Sequence, residues 1–147
     1  NENRISILIW QISNLWQSKI RKLLKNTNIT FNEYLILETL HKLQSSYDNI
    51  SQQDICKNSS IDRSVVSIKI DSLEKKKLLQ RSQSLDKRSN GLFLTNNGTL
   101  LVESLINSIE NQENIIFDKL GSEIFNFTNS LKLLLGKKIR IKAKLND

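Results

Sequence analysis

Residues 63–90 carry most of the chemistry in this 147-residue sequence: Arg63, Lys69, Lys75, Lys76, Lys77, Arg81, Lys87 and Arg88 stand against three acids, Asp71, Glu74 and Asp86. Clustered cations suit a polyanion partner, because each basic group brought near a phosphate releases a condensed counterion. A second cluster, six Lys or Arg against one acid, fills residues 131–147, and the formal net charge is +7. Other chemistries lack their parts. No carboxylate pair, nucleophile with a base, or phosphate-cradling glycine loop is present, which argues against an enzyme and implies no cofactor. One cysteine and one histidine, Cys56 and His41, exclude a disulfide framework and a structural zinc site. Cys56 falls on the inner side of a short helix and reads as a packing residue. His41 has no second His or Cys at motif spacing and reads as neither ligand nor catalyst.

These residues must be positioned by helices. The sequence has no proline, and its four glycines fall at 91, 98, 121 and 136. Ile5, Leu8, Ile9, Ile12, Leu15, Trp16 and Leu23 recur at helical spacing and predict an amphipathic helix over residues 4–26. A second helix starts at "TFNE", with Thr30 as its cap and Glu33 reaching back, and buries Tyr34, Leu37, Leu40 and Leu43 before ending near Gln44. Ser51 caps a short helix to about Asn58, and Asp62 caps another that runs to about Lys77. Only "SSI" separates these two, the spacing of a helix-turn-helix.

Two short strands follow, "LLQRSQ" and "GLFLT". A two-residue turn at Asn90-Gly91 would set an apolar strand against a polar one. Pairing apolar with apolar instead leaves residues 84–90 as a projecting loop. Thr95 caps a long helix expected over residues 96–120, with Leu101, Leu105, Ile109 and Ile116 along one side. A helix of that length outgrows a small core and needs the first helix and a second copy of the chain to lie against. A last helix over residues 122–135 carries Ile124, Phe125, Phe127, Leu131 and Leu134, and Gly136 introduces a basic tail.

At 100° per residue, Ile61, Val66, Ile70 and Leu73 turn inward on the helix that starts at Asp62, whereas Ser64, Ser67, Ile68, Asp71 and Lys75 turn outward. Short outward side chains let a helix approach the major groove closely. Ser64 and Ser67 suit phosphates or base edges, Ile68 a thymine methyl, and Arg63 phosphate or guanine. The projecting loop beside such a helix lies over the adjacent minor groove, whose negative potential favours an inserted arginine. Arg88 is the candidate for insertion and Lys87 for the backbone, with Asp86 fixing a guanidinium, that of Arg88 or Arg81.

The stretch "ISQQDICKNSSIDRSVVSIKIDSLEKKKLLQRSQSLDKRSNGLFLTNNGTLL" resembles the winged helix-turn-helix of the MarR family of bacterial transcription regulators. The resemblance rests on Asp86, Arg88, Leu94, Thr95 and Gly98, supported by Asp71 and Leu73. It implies a mainly helical fold with a two-stranded wing, a DNA-binding domain over residues 30–105, and dimerisation helices over 1–29 and 106–147. It further implies a homodimer on a pseudo-palindromic operator and a repressor responsive to a small aromatic or anionic effector. Trp10, Trp16, Phe31 and Tyr34 are the residues expected to line the effector's cavity. In three places the sequence departs from the pattern. Lys77 replaces the glycine that usually ends the recognition helix, Ile68 stands where the family is often basic, and Lys69 stands at an inward position that is usually apolar. Lys69 therefore joins the candidate DNA contacts. The rival reading is a winged-helix module that binds protein and has lost its operator. No secretory leader or spanning run of ~20 apolar residues is visible, so a cytoplasmic chain is expected. Methionine is absent even at position 1, and the native start is expected upstream.

Overall fold

The computed structural model describes residues 3–82 and 91–141. The order of elements is α1 (Ile5–Leu24), α2 (Phe31–Leu43), α3 (Gln52–Ser59), α4 (Arg63–Lys75), β1 (Leu79–Arg81), β2 (Leu92–Leu94), α5 (Asn96–Phe117) and α6 (Ile124–Leu134), with a 3-10 turn at Asp118–Glu123. Two compact units are present, Asn1–Glu110 and Asn111–Asp147.

Local chemistry sets the helix starts. Thr30 Oγ1 accepts from Glu33 N–H at 3.2 Å, and Glu33 Oε1 accepts from Thr30 N–H at 3.0 Å, closing the expected capping box. Ser51 and Asp54 close a second box at 2.9 and 3.1 Å. Thr95 Oγ1 accepts from Gly98 N–H at 3.0 Å and caps α5. Asp62 departs from expectation, because its carboxylate makes no capping bond. Its backbone (φ −56°, ψ 141°) is extended but rotated from that of Thr30 and Ser51, whose φ is about −85° and ψ about 165°, and its carbonyl accepts from Val66 N–H at the start of α4.

In the first unit, α2, α3, α4 and the strand pair surround one core. Tyr34, Leu37, Leu40, Ile55, Val66, Ile70, Leu73 and Leu79 are all buried there, joined by Ile20 of α1 and Val102 of α5. Cys56 is half-buried against this core, in keeping with a packing role. The strands pair antiparallel with Leu79 opposite Leu94 and Arg81 opposite Leu92, the register that apolar matching predicts. Ser82 N–H to the Gly91 carbonyl (2.7 Å) extends the ladder, and Leu92 N–H to the Ile50 carbonyl (2.8 Å) ties it to the α2–α3 connection.

The α-helix of α5 stops at Phe117, short of the expected residue 120, where the chain tightens into the 3-10 turn around Gly121 at φ +54°. In the second unit every residue of α6 stays at least partly accessible, and Ile124, Phe127, Leu131 and Leu134 are exposed. Gly136 (φ +70°) ends α6 in a Schellman turn, with Gly136 N–H on the Leu133 carbonyl and Lys137 N–H on that of Lys132. Beyond it the basic tail is held by Asn129, whose side-chain amide donates to the Arg140 carbonyl at 2.7 Å and accepts from Arg140 N–H at 3.1 Å.

The end of α4 has the same turn without a glycine. Lys77 takes the left-handed conformation itself (φ 59°), with Lys77 N–H on the Glu74 carbonyl and Leu78 N–H on the Leu73 carbonyl, both at 3.0 Å. A side chain there costs about 1 kcal/mol or more, and glycine gives part of that back as unfolded-chain entropy. Lys77→Gly is therefore expected to stabilise the fold by about 0.5–1 kcal/mol, read as a higher urea midpoint at unchanged slope.

Candidate nucleic-acid interface

Helix α4 has two sharply different sides. Val66, Ile70 and Leu73 are fully buried, and Ile61 packs partly against the same core. On the opposite side Arg63, Ser64, Asp71 and Lys75 are exposed, Ser67 and Lys69 are half-buried, and Ile68 is 66% exposed. An isoleucine so exposed gains nothing from water, and the short residues beside it keep this side of the helix low.

Arg81 couples this helix to the wing. Its Nη2 donates to Asp71 Oδ1 at 2.7 Å, and its Nε lies 3.5 Å from Glu74 Oε2. All three side chains are partly exposed, so the pairing stabilises by no more than about 1 kcal/mol and mainly fixes direction. The acids that meet Arg81 are thus Asp71 and Glu74 of α4. Asp86, Lys87 and Arg88 lie outside the described residues.

Behind α4 is a polar junction that periodicity could not reveal. Glu33 is buried to 1% exposure, and Lys76 Nζ donates to both its carboxylate oxygens at 3.0 Å. Ser72 Oγ donates to Oε2 at 3.0 Å, and Lys76 Nζ also reaches the Asn28 carbonyl at 2.7 Å. Burial pushes the Glu33 carboxyl pKa up, but the bonds from Thr30, Lys76 and Ser72 together with the Lys76 charge outweigh it and hold it below its ordinary value. The second half of α4 is therefore pinned to the start of α2.

The four aromatics expected around one cavity are placed differently. Trp16 and Phe31 meet edge to face at 5.2 Å between centroids, and the Arg21 guanidinium lies 5.5 Å over Phe31. Tyr34 is in the core and Trp10 is 62% exposed, since six residues of helix turn Trp10 well away from the side Trp16 presents. An open hollow of about 460 Å³ lies beside Phe31, bordered also by Arg21, Lys25, Asn28, Thr30 and Lys76. His41 Nε2 stands 3.4 Å from Glu103 Oε1. Among the described residues no group of three His, Cys, Asp or Glu could hold a metal ion, and no helix is long and apolar enough to cross a membrane.

Residues 29–89 match the sequence profile of the MarR family. The chain is 27% identical over 129 residues to YdcH of Bacillus subtilis (strain 168), an uncharacterized HTH-type transcriptional regulator, across 87% of each chain. Its fold matches Staphylococcus aureus MepR in complex with DNA at a TM-score of 0.80 and 27% identity, covering 92% of this chain and 97% of that one. MepR bound to ethidium bromide matches at 0.54 and 28% identity, with the same coverage. Over residues 29–89, with a helix-turn-helix and a two-stranded wing, the chain is similar to the MarR family, and its fold is that of MepR, a transcription regulator.

Proposed function

We propose that the chain is a homodimeric regulator that binds a pseudo-palindromic duplex operator in the cytoplasm, represses transcription, and responds to a small aromatic or anionic effector. The observation that carries this reading is the low, accessible outer side of α4, with Arg63 at its start and Ser64, Ser67 and Ile68 along it, on a helix whose inner side is fully packed. Resemblance to a protein solved with DNA supports it. Residues 30–105 form the binding domain in this reading, and residues 1–29 and 106–147 join two copies. Ile5, Leu8, Trp10 and Leu15 of α1, and Phe127, Leu131 and Leu134 of α6, are apolar and exposed in the single chain, as a dimer's contact surface would be. The hollow beside Phe31, with Arg21 and Lys25 at its border, suits an aromatic anion.

The wing tip supplies the test. Arg88 enters the minor groove in this reading, Lys87 meets phosphate, and Asp86 aligns Arg88. Arg88→Ala is expected to weaken duplex binding by about 1–3 kcal/mol. Fluorescence anisotropy with a labelled duplex at ~0.15 M salt measures it, and log K should fall steeply with log salt. Equal affinities for the two proteins would remove the wing assignment, and a flat salt plot the electrostatic premise. Absence of duplex binding at low salt, together with a captured protein partner, would favour the protein-interaction reading.

A further inference from the structure

We propose that Ile68 is a specificity-determining residue of this interface and that it reads the 5-methyl group of a thymine in each half-site. The inference rests on the duplex-binding reading above and adds the chemistry of discrimination to it.

Beyond Arg63 at its start, which suits phosphate or guanine, the outer side of α4 presents Ser64, Ser67, Ile68 and Asp71 where bases would be met. Asp71 is the one that could single out cytosine by accepting from its N4 amino group. Its Oδ1 is already taken by Arg81 at 2.7 Å, and the other acid of this helix, Glu74, stands 3.5 Å from the same guanidinium. Both carboxylates are thereby engaged with Arg81 of β1, which competes with any acceptance from a base. The serine hydroxyls donate or accept with equal ease and so separate bases poorly. Ile68 remains, 66% exposed midway along the helix, whereas Val66 and Ile70 on either side of it in sequence are fully buried. The only apolar group a base pair displays in the major groove is the thymine methyl. Burying that methyl on Ile68 is a gain no other base supplies.

Duplexes enriched from a random pool by the intact chain provide the substrate for the test. Each thymine of the enriched half-site is replaced in turn by deoxyuridine, which keeps every hydrogen-bonding edge and removes only the methyl. At one thymine per half-site the replacement should weaken wild-type binding about fourfold, the factor that burying one methyl group corresponds to. The same replacement should leave Ile68→Ala unaffected, and Ile68→Val should fall between. An exposed side chain makes both variants safe for folding. Deoxyuridine penalties equal in wild type and Ile68→Ala, or no thymine whose methyl matters, would overturn the assignment while duplex binding stands. Failure to enrich any duplex would overturn the binding reading and this inference with it.

Discussion

Glu33→Ala should destabilise the protein by about 2–4 kcal/mol, because it deletes the acceptor of a buried cluster and strands its donors. Thr30 N–H loses its cap partner, Ser72 Oγ loses its acceptor, and Lys76 loses both carboxylate oxygens. Lys76 keeps the Asn28 carbonyl and is 27% exposed, which keeps the loss below that of a fully buried ion pair. Urea unfolding measures the difference, and a change under ~0.5 kcal/mol would show the cluster to be energetically idle. The acid limb carries a further signature. Folding lowers the Glu33 pKa from its ordinary 4.5, so the folded chain holds that proton less tightly than the unfolded chain. The contribution is therefore complete above about pH 4.5 and is lost as pH falls through the lower folded value. Glu33→Gln should remove this part of the acid sensitivity. Ser72 and Lys76 belong to the end of the recognition helix, so both variants should also bind duplex more weakly.

Gly98→Ala is the second large effect. A Cβ at Gly98 would overlap the Leu78 carbonyl oxygen and stand 2.9 Å from its carbon, and both are backbone atoms that cannot swing aside. The start of α5 would have to part from the entry to β1. Alanine improves helix propensity by about 1 kcal/mol, but forcing packed backbone apart costs about 3 kcal/mol or more, so the clash wins with a net loss of about 2 kcal/mol. At Gly121 an added Cβ meets nothing within 4 Å, but φ +54°, ψ −125° is a backbone region nearly confined to glycine, so the same exchange there strains the backbone by about 1–3 kcal/mol with no packing clash. Thermal unfolding of Gly98→Ala measures the loss. A loss under ~0.5 kcal/mol for Gly98→Ala would contradict the close approach of Gly98 to Leu78.

The features that were legible in the sequence are local or periodic. The Thr30–Glu33 box spans three residues, the inner side of α4 follows from 100° steps, and matching apolar residues selects the Leu79–Leu94 register. What was not legible is pairing between distant positions. Periodicity turns Asp71 outward but cannot say that Arg81, ten residues on, will claim it. It marks Glu33 as a cap but not as the buried partner of Lys76, 43 residues away. Lys77 shows a different limit. The missing glycine suggested a turn without its left-handed residue, yet the two Schellman bonds and the packing of Leu78 hold a lysine in that conformation. Trp10 and Trp16 share a residue type and a helix, but their spacing of six sends them to different surroundings. Asp62 has a favourable cap residue type, yet its side chain makes no capping bond.

Enrichment of bound fragments from random duplex DNA by the intact chain bears most directly on the claim that two copies of the outer side of α4 read successive major grooves. The expected product is a two-fold symmetric site whose half-site centres lie about one turn of DNA apart, ~10 base pairs. Enrichment of no common sequence, or of a single unrepeated half-site bound by one copy of the chain, would contradict it.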